Sequence, residues 1–239
     1  MEGISLTRKP LQARTRNLEV LGLPKVLLCD LDGTLIDTMP ILADLAMDVI
    51  SDIYGTPKPL ARELYLATCG LPFIGQLGDI FPNDPRNPTA SDRFEAAKPA
   101  RCRSARMPAS TISALASLQS RGVRIVVSSN NGRENVETFA QDSGFPFDLV
   151  LGYGNGLAKG RTHIQMIERV FGAGRAELLF IGDSLHDGDI AAREGLPFVG
   201  LTGTFSRESF QLRFPAIPVV HQFADLLDLF EWTAAAAVG

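Results

Sequence analysis

Five short apolar runs recur along the chain, with helical spacing between most of them, and this alternation limits the fold more than any other feature. The runs are "KVLLCD" (25–30), "VRIVVSSN" (123–130), "FDLVL" (147–151), "ELLFIGD" (177–183) and "LPFVG" (196–200). Each is the length of one strand and largely apolar, as strands covered on both faces are. Between them, 110–121 sets Ile112, Leu115 and Leu118 on one face, with Ser110 as the expected cap and Gly122 beyond the end. The same spacing brings together Val136, Phe139 and Ala140 in 132–142, and Ile164, Ile167 and Val170 in 161–171. The alternation predicts an α/β fold, a doubly wound parallel sheet with right-handed crossovers. Ligands of such sheets bind at the carboxyl ends of the strands, so the polar residues closing each run are the candidates for chemistry.

Residues 39–108 break the rule. "MPILADLAMDVISDIYG" and "ARELYLATCG" have helical spacing, a stretch rich in Pro and Asp follows, and nothing there reads as a strand. The expected organisation is a core from 1–38 and 109–239, with 1–24 a flexible arm, and a small helical cap, 39–108, inserted over the strand ends. Its hinges fall near Asp37 to Pro40 and Arg106 to Ser110. The terminal "TAAAAVG" reads as a frayed tail.

With 239 residues, 45% of them hydrophobic, the chain can bury a sizeable core. A formal charge of −4 offers no general field for nucleic acid or an anionic membrane. Only "RKPLQARTR" (8–16) is locally basic, and the apolar runs are far shorter than the ~20 residues that span a bilayer. Three cysteines, Cys29, Cys69 and Cys102, without C-x-x-C spacing favour a reducing, cytoplasmic setting over a disulfide framework or zinc site. Cys29 is expected to pack in the core.

The first run ends in Asp30 and Asp32 with Leu31 between and Gly33 and Thr34 after. On a strand the two acids face the same way, and they cannot both ionise cheaply unless a cation stands beside them or one keeps its proton. Magnesium, which takes oxygen ligands, would serve the first solution, and a protonated carboxyl acting as general acid the second. Ser128, Ser129, Asn130 and Asn131 close the second run with hydroxyls, amides and N–H groups suited to an anion. Lys159, in the glycine-rich "GYGNGLAKG", adds a compact positive charge, and Asp183 ends the fourth run with Asp187 four residues on.

These segments resemble the haloacid dehalogenase-like superfamily, in particular its phosphatases with a helical cap after the first strand, such as phosphoglycolate phosphatase-like and β-phosphoglucomutase-like members. "DLDGTLIDT" and "GDSLHD" carry the resemblance most specifically, and Ser128, Lys159 and "TCGLP" add to it. The resemblance implies a magnesium-dependent phosphatase acting on a small phosphorylated metabolite. Asp30 would be the nucleophile that becomes aspartyl-phosphate, and Asp32 the general acid and then base. Ser128, Ser129 and Lys159 would bind the phosphoryl group. Metal would be held by Asp30, Asp183 and the backbone carbonyl of Asp32, with Asp187 also at the metal site, ordering a metal-bound water or Lys159. Gly160 departs from the proline common there. An acid at Asp32 argues against dehalogenation and phosphonate cleavage.

Rival readings are weaker. "GDSL" at 182–185 spells an esterase signature with Ser184 as nucleophile, but it lies late and lacks its downstream D-x-x-H. A phosphomutase would use the same aspartate, yet "FIGQLGD" after "TCGLP" brings no basic residue into the cap, which favours hydrolysis. A catalytically idle binding relative is disfavoured because every chemical group is retained. His186 is expected to be packed rather than ligating, and nothing in the sequence specifies an oligomeric state.

Overall fold

The computed structural model describes residues 21–230; the basic segment at 8–16, most of the expected arm and the "TAAAAVG" tail lie outside the described residues. Six strands, β1 (Val26–Cys29), β2 (Arg124–Gly132), β3 (Leu149–Tyr153), β4 (Leu178–Gly182), β5 (Phe198–Leu201) and β6 (Val219–Val220), form one parallel sheet ordered β3-β2-β1-β4-β5-β6. The doubly wound sheet read from the alternation is the fold of the chain. β1 lies inside it, Leu28 standing opposite Val126 on one side and Phe180 on the other. Its residues are buried on both faces, which is why the run is apolar without a break.

Alternation along β1 divides the core in two. Leu27 and Cys29 pack with Leu115 and Leu118 of α5 (Ala109–Gln119) and Val136 of α6 (Arg133–Ser143). Val26 and Leu28 pack on the opposite face with Ile164 and Ile167 of α7 (Arg161–Phe171), Ile190 of α8 (Leu185–Glu194) and Phe210 of α9 (Arg207–Arg213). Each fully buried leucine contributes roughly 1.5–3 kcal/mol of transfer free energy, so the two layers hold the strand tips against the cost of gathering charge there.

Four further helices, α1 (Met39–Tyr54), α2 (Lys58–Ala67), α3 (Phe73–Ile80) and α4 (Asn87–Cys102), form the helical cap. They have their own core, in which Leu42, Leu45 and Val49 of α1 meet Tyr65, Phe73, Leu77 and Phe94. The Phe73 and Phe94 rings stack with centroids 4.1 Å apart. The chain crosses between cap and sheet just before α1 and between α4 and α5.

Local expectations are corrected at four places. Ser110 lies inside α5, whose first turn follows Pro108 and has no side-chain cap. Val170 is exposed, because α7 buries Ile164, Ile167 and, in part, Phe171; a spacing of seven returns to the same face, and one of six does not. β3 starts at Leu149, the preceding Phe145 and Phe147 turning into an edge-to-face pair 4.8 Å apart. β6 and α9, with two and seven residues, are too short to leave a periodic signal and were not anticipated.

Candidate active site

The carboxyl ends of β1, β2 and β4 converge beneath the cap. Asp30 follows β1 directly and its N–H donates to the Ile181 carbonyl at 3.0 Å, which fixes the first acid against β4. Gly33 then turns the chain at φ +88°, and a β-carbon there would lie 2.2 Å from Asp183 Oδ2. Only glycine permits that turn and that approach.

Asp30, Asp183 and Asp187 are buried, with one oxygen from each within 4.8 Å of the others. At that distance two charges repel by roughly 3–4 kcal/mol even at an effective dielectric constant of about 20. Burial pushes the Asp30 carboxyl up to about 6 against the pull of Lys159. Burial, and then Asp30 and Asp187, drive the Asp183 carboxyl well above the ordinary range. Thr34 Oγ1 donates to Asp183 Oδ1 at 3.2 Å, and Thr204 donates to Asp183 Oδ2. Asp187 accepts from Ser184 Oγ at 2.6 Å, while Ser184 Oγ accepts from the Asp187 N–H at 3.1 Å. Ser184 is thus the cap of α8, committed to Asp187, which leaves the esterase reading without a free nucleophile.

Lys159 supplies the counter-charge. Its ammonium donates to Asp30 Oδ1 at 2.5 Å and Asp187 Oδ1 at 2.7 Å. Burial pulls its pKa down, but the two carboxylates outweigh burial and the net direction is up. Gly160, next in sequence, has φ +111°. Proline cannot adopt that angle, so the departure at Gly160 is built into the turn that aims Lys159.

Asp32 stands apart from the other acids. Its carboxylate accepts from Thr38 Oγ1 at 2.7 Å and Asn131 Nδ2 at 3.3 Å, and lies 3.9 Å from the ammonium of Lys98. Its side chain lies outside the carboxylate triad, which leaves its backbone carbonyl as the only group of Asp32 for the metal role expected of it. A tight turn, with Gly33 N–H on the Ile36 carbonyl at 2.7 Å, separates the two carboxylates that an extended strand would have aligned.

The serines of β2 part company for the reason strands alternate. Ser128 Oγ is 3.0 Å from His163 Nδ1, and His163 Nε2 is 3.3 Å from the Gly152 carbonyl, both residues being buried. Ser128 therefore faces α7 and is corrected as a phosphoryl contact; Ser129, one residue on, lines the space above Asp30. Burial holds the His163 imidazole down to about 4. With Nε2–H donating to the carbonyl, Nδ1 accepts from Ser128.

Above the triad is a cavity of about 60 Å³ reached by Asp30, Asp32, Ser129, Lys159, Asp183 and, from the cap, Lys98. Sequence reasoning missed Lys98, and with it the fact that the cap does bring a basic group to the site. Asn87, Ala90, Phe94 and Lys98 are the buried residues of α4, a stripe at helical spacing that ends in a cation and is faint in a helix otherwise mostly polar. His186 is half-buried on α8 outside the triad, and Cys29 is packed in the core. No helix among the described residues is long and apolar enough to cross a membrane.

A search of curated proteins gives no match. Solved structures do match. A predicted phosphatase from Clostridium acetobutylicum is similar at 20% identity with a TM-score of 0.73, covering 86% of this chain and 97% of that one. A predicted phosphoglycolate phosphatase from Haemophilus somnus matches at 21% identity and TM-score 0.69, over 87% and 99%. A haloacid dehalogenase-like family hydrolase from Streptococcus pneumoniae matches at 18% identity and TM-score 0.72, over 86% and 98%. At these identities the likeness is one of fold. The family model described as haloacid dehalogenase-like hydrolase matches residues 27–201, a span that runs from β1 to the end of β5 and takes in the triad, Lys159 and the whole cap. With that span matched, the chain belongs to the haloacid dehalogenase-like hydrolase family.

Proposed function

We propose that the protein is a magnesium-dependent phosphatase that hydrolyses a small phosphate monoester through an aspartyl-phosphate on Asp30. The observation that carries this is the buried triad of carboxylates with a single ammonium among them, lying under a cavity of about 60 Å³. Such a volume takes on the order of four to six water-sized atoms, which suits a phosphoryl group and little more.

The donor set fits the metal. Three carboxylates and one ammonium leave a formal charge of −2 in a buried place, and their hard oxygens suit Mg2+. Asp30, Asp183 and Asp187, with the Asp32 carbonyl, would hold the ion; when bound it supplies positive charge to the phosphoryl oxygens.

In this reading a carboxylate oxygen of Asp30 forms a bond to phosphorus while the ester P–O bond breaks. The bonding pair leaves with the ester oxygen, which takes a proton from Asp32. Water then gives a proton to Asp32 and attacks phosphorus, breaking the aspartyl P–O bond and restoring both carboxyl groups. Lys159 and Ser129 orient the phosphoryl oxygens and offset the charge that the loose transition state spreads over them. The Cys69–Phe73 segment of the cap lines the cavity, at the floor of which Asp30 is buried. Three free thiols suit a cytoplasmic site of action.

Lys98 favours a second reading, a phosphomutase in which a sugar phosphate replaces water, because it removes the argument that the cap lacks a cation. Product analysis separates the two: inorganic phosphate marks hydrolysis, and a positional isomer marks the mutase. The phosphatase reading predicts that small phosphate monoesters release phosphate with Mg2+ and not with excess EDTA. Asp30→Asn should retain the far-ultraviolet spectrum and lose at least 10⁴-fold in kcat; substantial residual turnover would remove Asp30 as nucleophile.

A further inference from the structure

The cavity over Asp30 holds the phosphoryl group and leaves the alcohol half of the ester to be housed elsewhere. Two larger cavities adjoin it. One, about 280 Å³, shares Asp32, Lys98 and Asn131 with it; the other, about 730 Å³, shares Pro72, Phe73, Glu95 and Asn130. A general acid has to lie within hydrogen-bond reach of the leaving oxygen. Asp32 lines the first cavity and is absent from the second, where Glu95, Glu134 and Glu137 outnumber the one base, Arg133, itself paired with Glu137.

We propose that the 280 Å³ chamber between the end of α4, the α4–α5 connection and α6 receives the leaving group, and that this group bears an anion held by Lys98. The proposal rests on the phosphatase reading and adds to it a substrate class: the phosphate monoester of an alcohol with an apolar body and a carboxylate or similar charge. The walls supply the apolar part, with Leu31, Ile36, Met107 and Phe139. Lys98 supplies the charge. It is 8% exposed, and its ammonium has Asp32 at 3.9 Å and the Phe94 ring centre at 5.6 Å. It makes no hydrogen bond to any described residue, although an ammonium has three to give. No fully buried side-chain nitrogen or oxygen among the described residues is without a partner, so the ammonium opens onto the chamber, where an anion would give it the charged acceptor that the protein does not. Arg103 and Arg106 add positive charge further along the wall, opposed by Asp142. The 3.9 Å gap plus one hydrogen bond at each end sets the anion within roughly 10 Å of the leaving oxygen.

The test compares phenyl phosphate with 4-carboxyphenyl phosphate in the presence of Mg2+, and measures direct binding of the two product alcohols, phenol and 4-hydroxybenzoate, by calorimetry. The wild type should prefer the carboxylated ester at least tenfold in kcat/KM and bind 4-hydroxybenzoate at least tenfold more tightly than phenol. Lys98→Met should abolish both preferences and Lys98→Arg should keep them. Thr138→Trp, which projects bulk into the chamber from α6, should weaken binding of 4-hydroxybenzoate without touching Lys98. Turnover of both esters with equal efficiency, or a preference that survives in Lys98→Met, overturns the chamber and leaves the phosphatase standing. Binding of 4-hydroxybenzoate through Lys98 with no turnover of any phosphate ester upholds the chamber and overturns the phosphatase.

Discussion

Two buried lysines show how differently the sheet and the cap handle charge. Lys159 is clasped by two carboxylates at 2.5 and 2.7 Å and belongs to the electrostatic frame of the site. Lys98 stands 3.9 Å from one carboxylate with its donors unspent. The first charge is answered by the protein, and the second is left for a ligand. In the proposed reading the sheet edge lacks only its metal and phosphoryl group, and the cap reads the remainder of the substrate.

Removing each cation breaks the comparison most directly. Lys159→Met leaves Asp30 and Asp187 without their shared partner and should cost about 3–5 kcal/mol in urea unfolding of the metal-free protein. Lys98→Met breaks a long pair without a hydrogen bond and should cost under about 1 kcal/mol. Equal losses would erase the distinction.

The serines of β2 sharpen it at the next level. Ser129→Ala should lower kcat/KM about tenfold or more, since its hydroxyl is on the cavity side. Ser128→Ala should leave KM alone and cost about 1–3 kcal/mol of stability by stranding the His163 ring nitrogen. The reverse pattern would put Ser128 back in the site.

Protons report on the same divide. Asp30 has its pKa raised on folding, so the stability it contributes is complete below the unfolded value of 3.8 and is lost as pH rises through about 6; the span is worth about 3 kcal/mol. In the proposed reading Mg2+ would compete with that proton, and the rise in Tm on adding Mg2+ should be larger at pH 7.5 than at pH 5. His163 runs the other way: held down at about 4, its contribution is complete above 6.5 and is lost as pH falls through 4. His163→Asn should remove that acid-side loss, at most about 3 kcal/mol, leaving the Mg2+ effect at pH 7.5 in place. A Mg2+ effect that does not change with pH would contradict the competition at Asp30.

The sheet was legible because burial on both faces writes itself into sequence as unbroken apolar runs, and an acid closing such a run is conspicuous. Asp30, Lys159, Asp183 and Asp187 could be found one strand at a time, and the structure brings them together. The side on which a residue falls was harder. An apolar run does not say where its pleat ends, so Ser128 and Ser129 were both candidates where only Ser129 faces the cavity, and the turn at Gly33 took Asp32 away from the acids of the triad. Lys98 was hidden because α4 is mostly polar and carries Pro99, so that its buried stripe emerges only when Phe73 stacks on Phe94.

The central claim is that Asp30 carries the phosphoryl group during turnover. Acid quenching of the Mg2+-loaded enzyme mixed with a small phosphate monoester, followed by peptide mass spectrometry, should find one phosphoryl group on the segment containing Asp30 and none in Asp30→Asn. Turnover with that segment unmodified, or with the group on another side chain, would contradict the account.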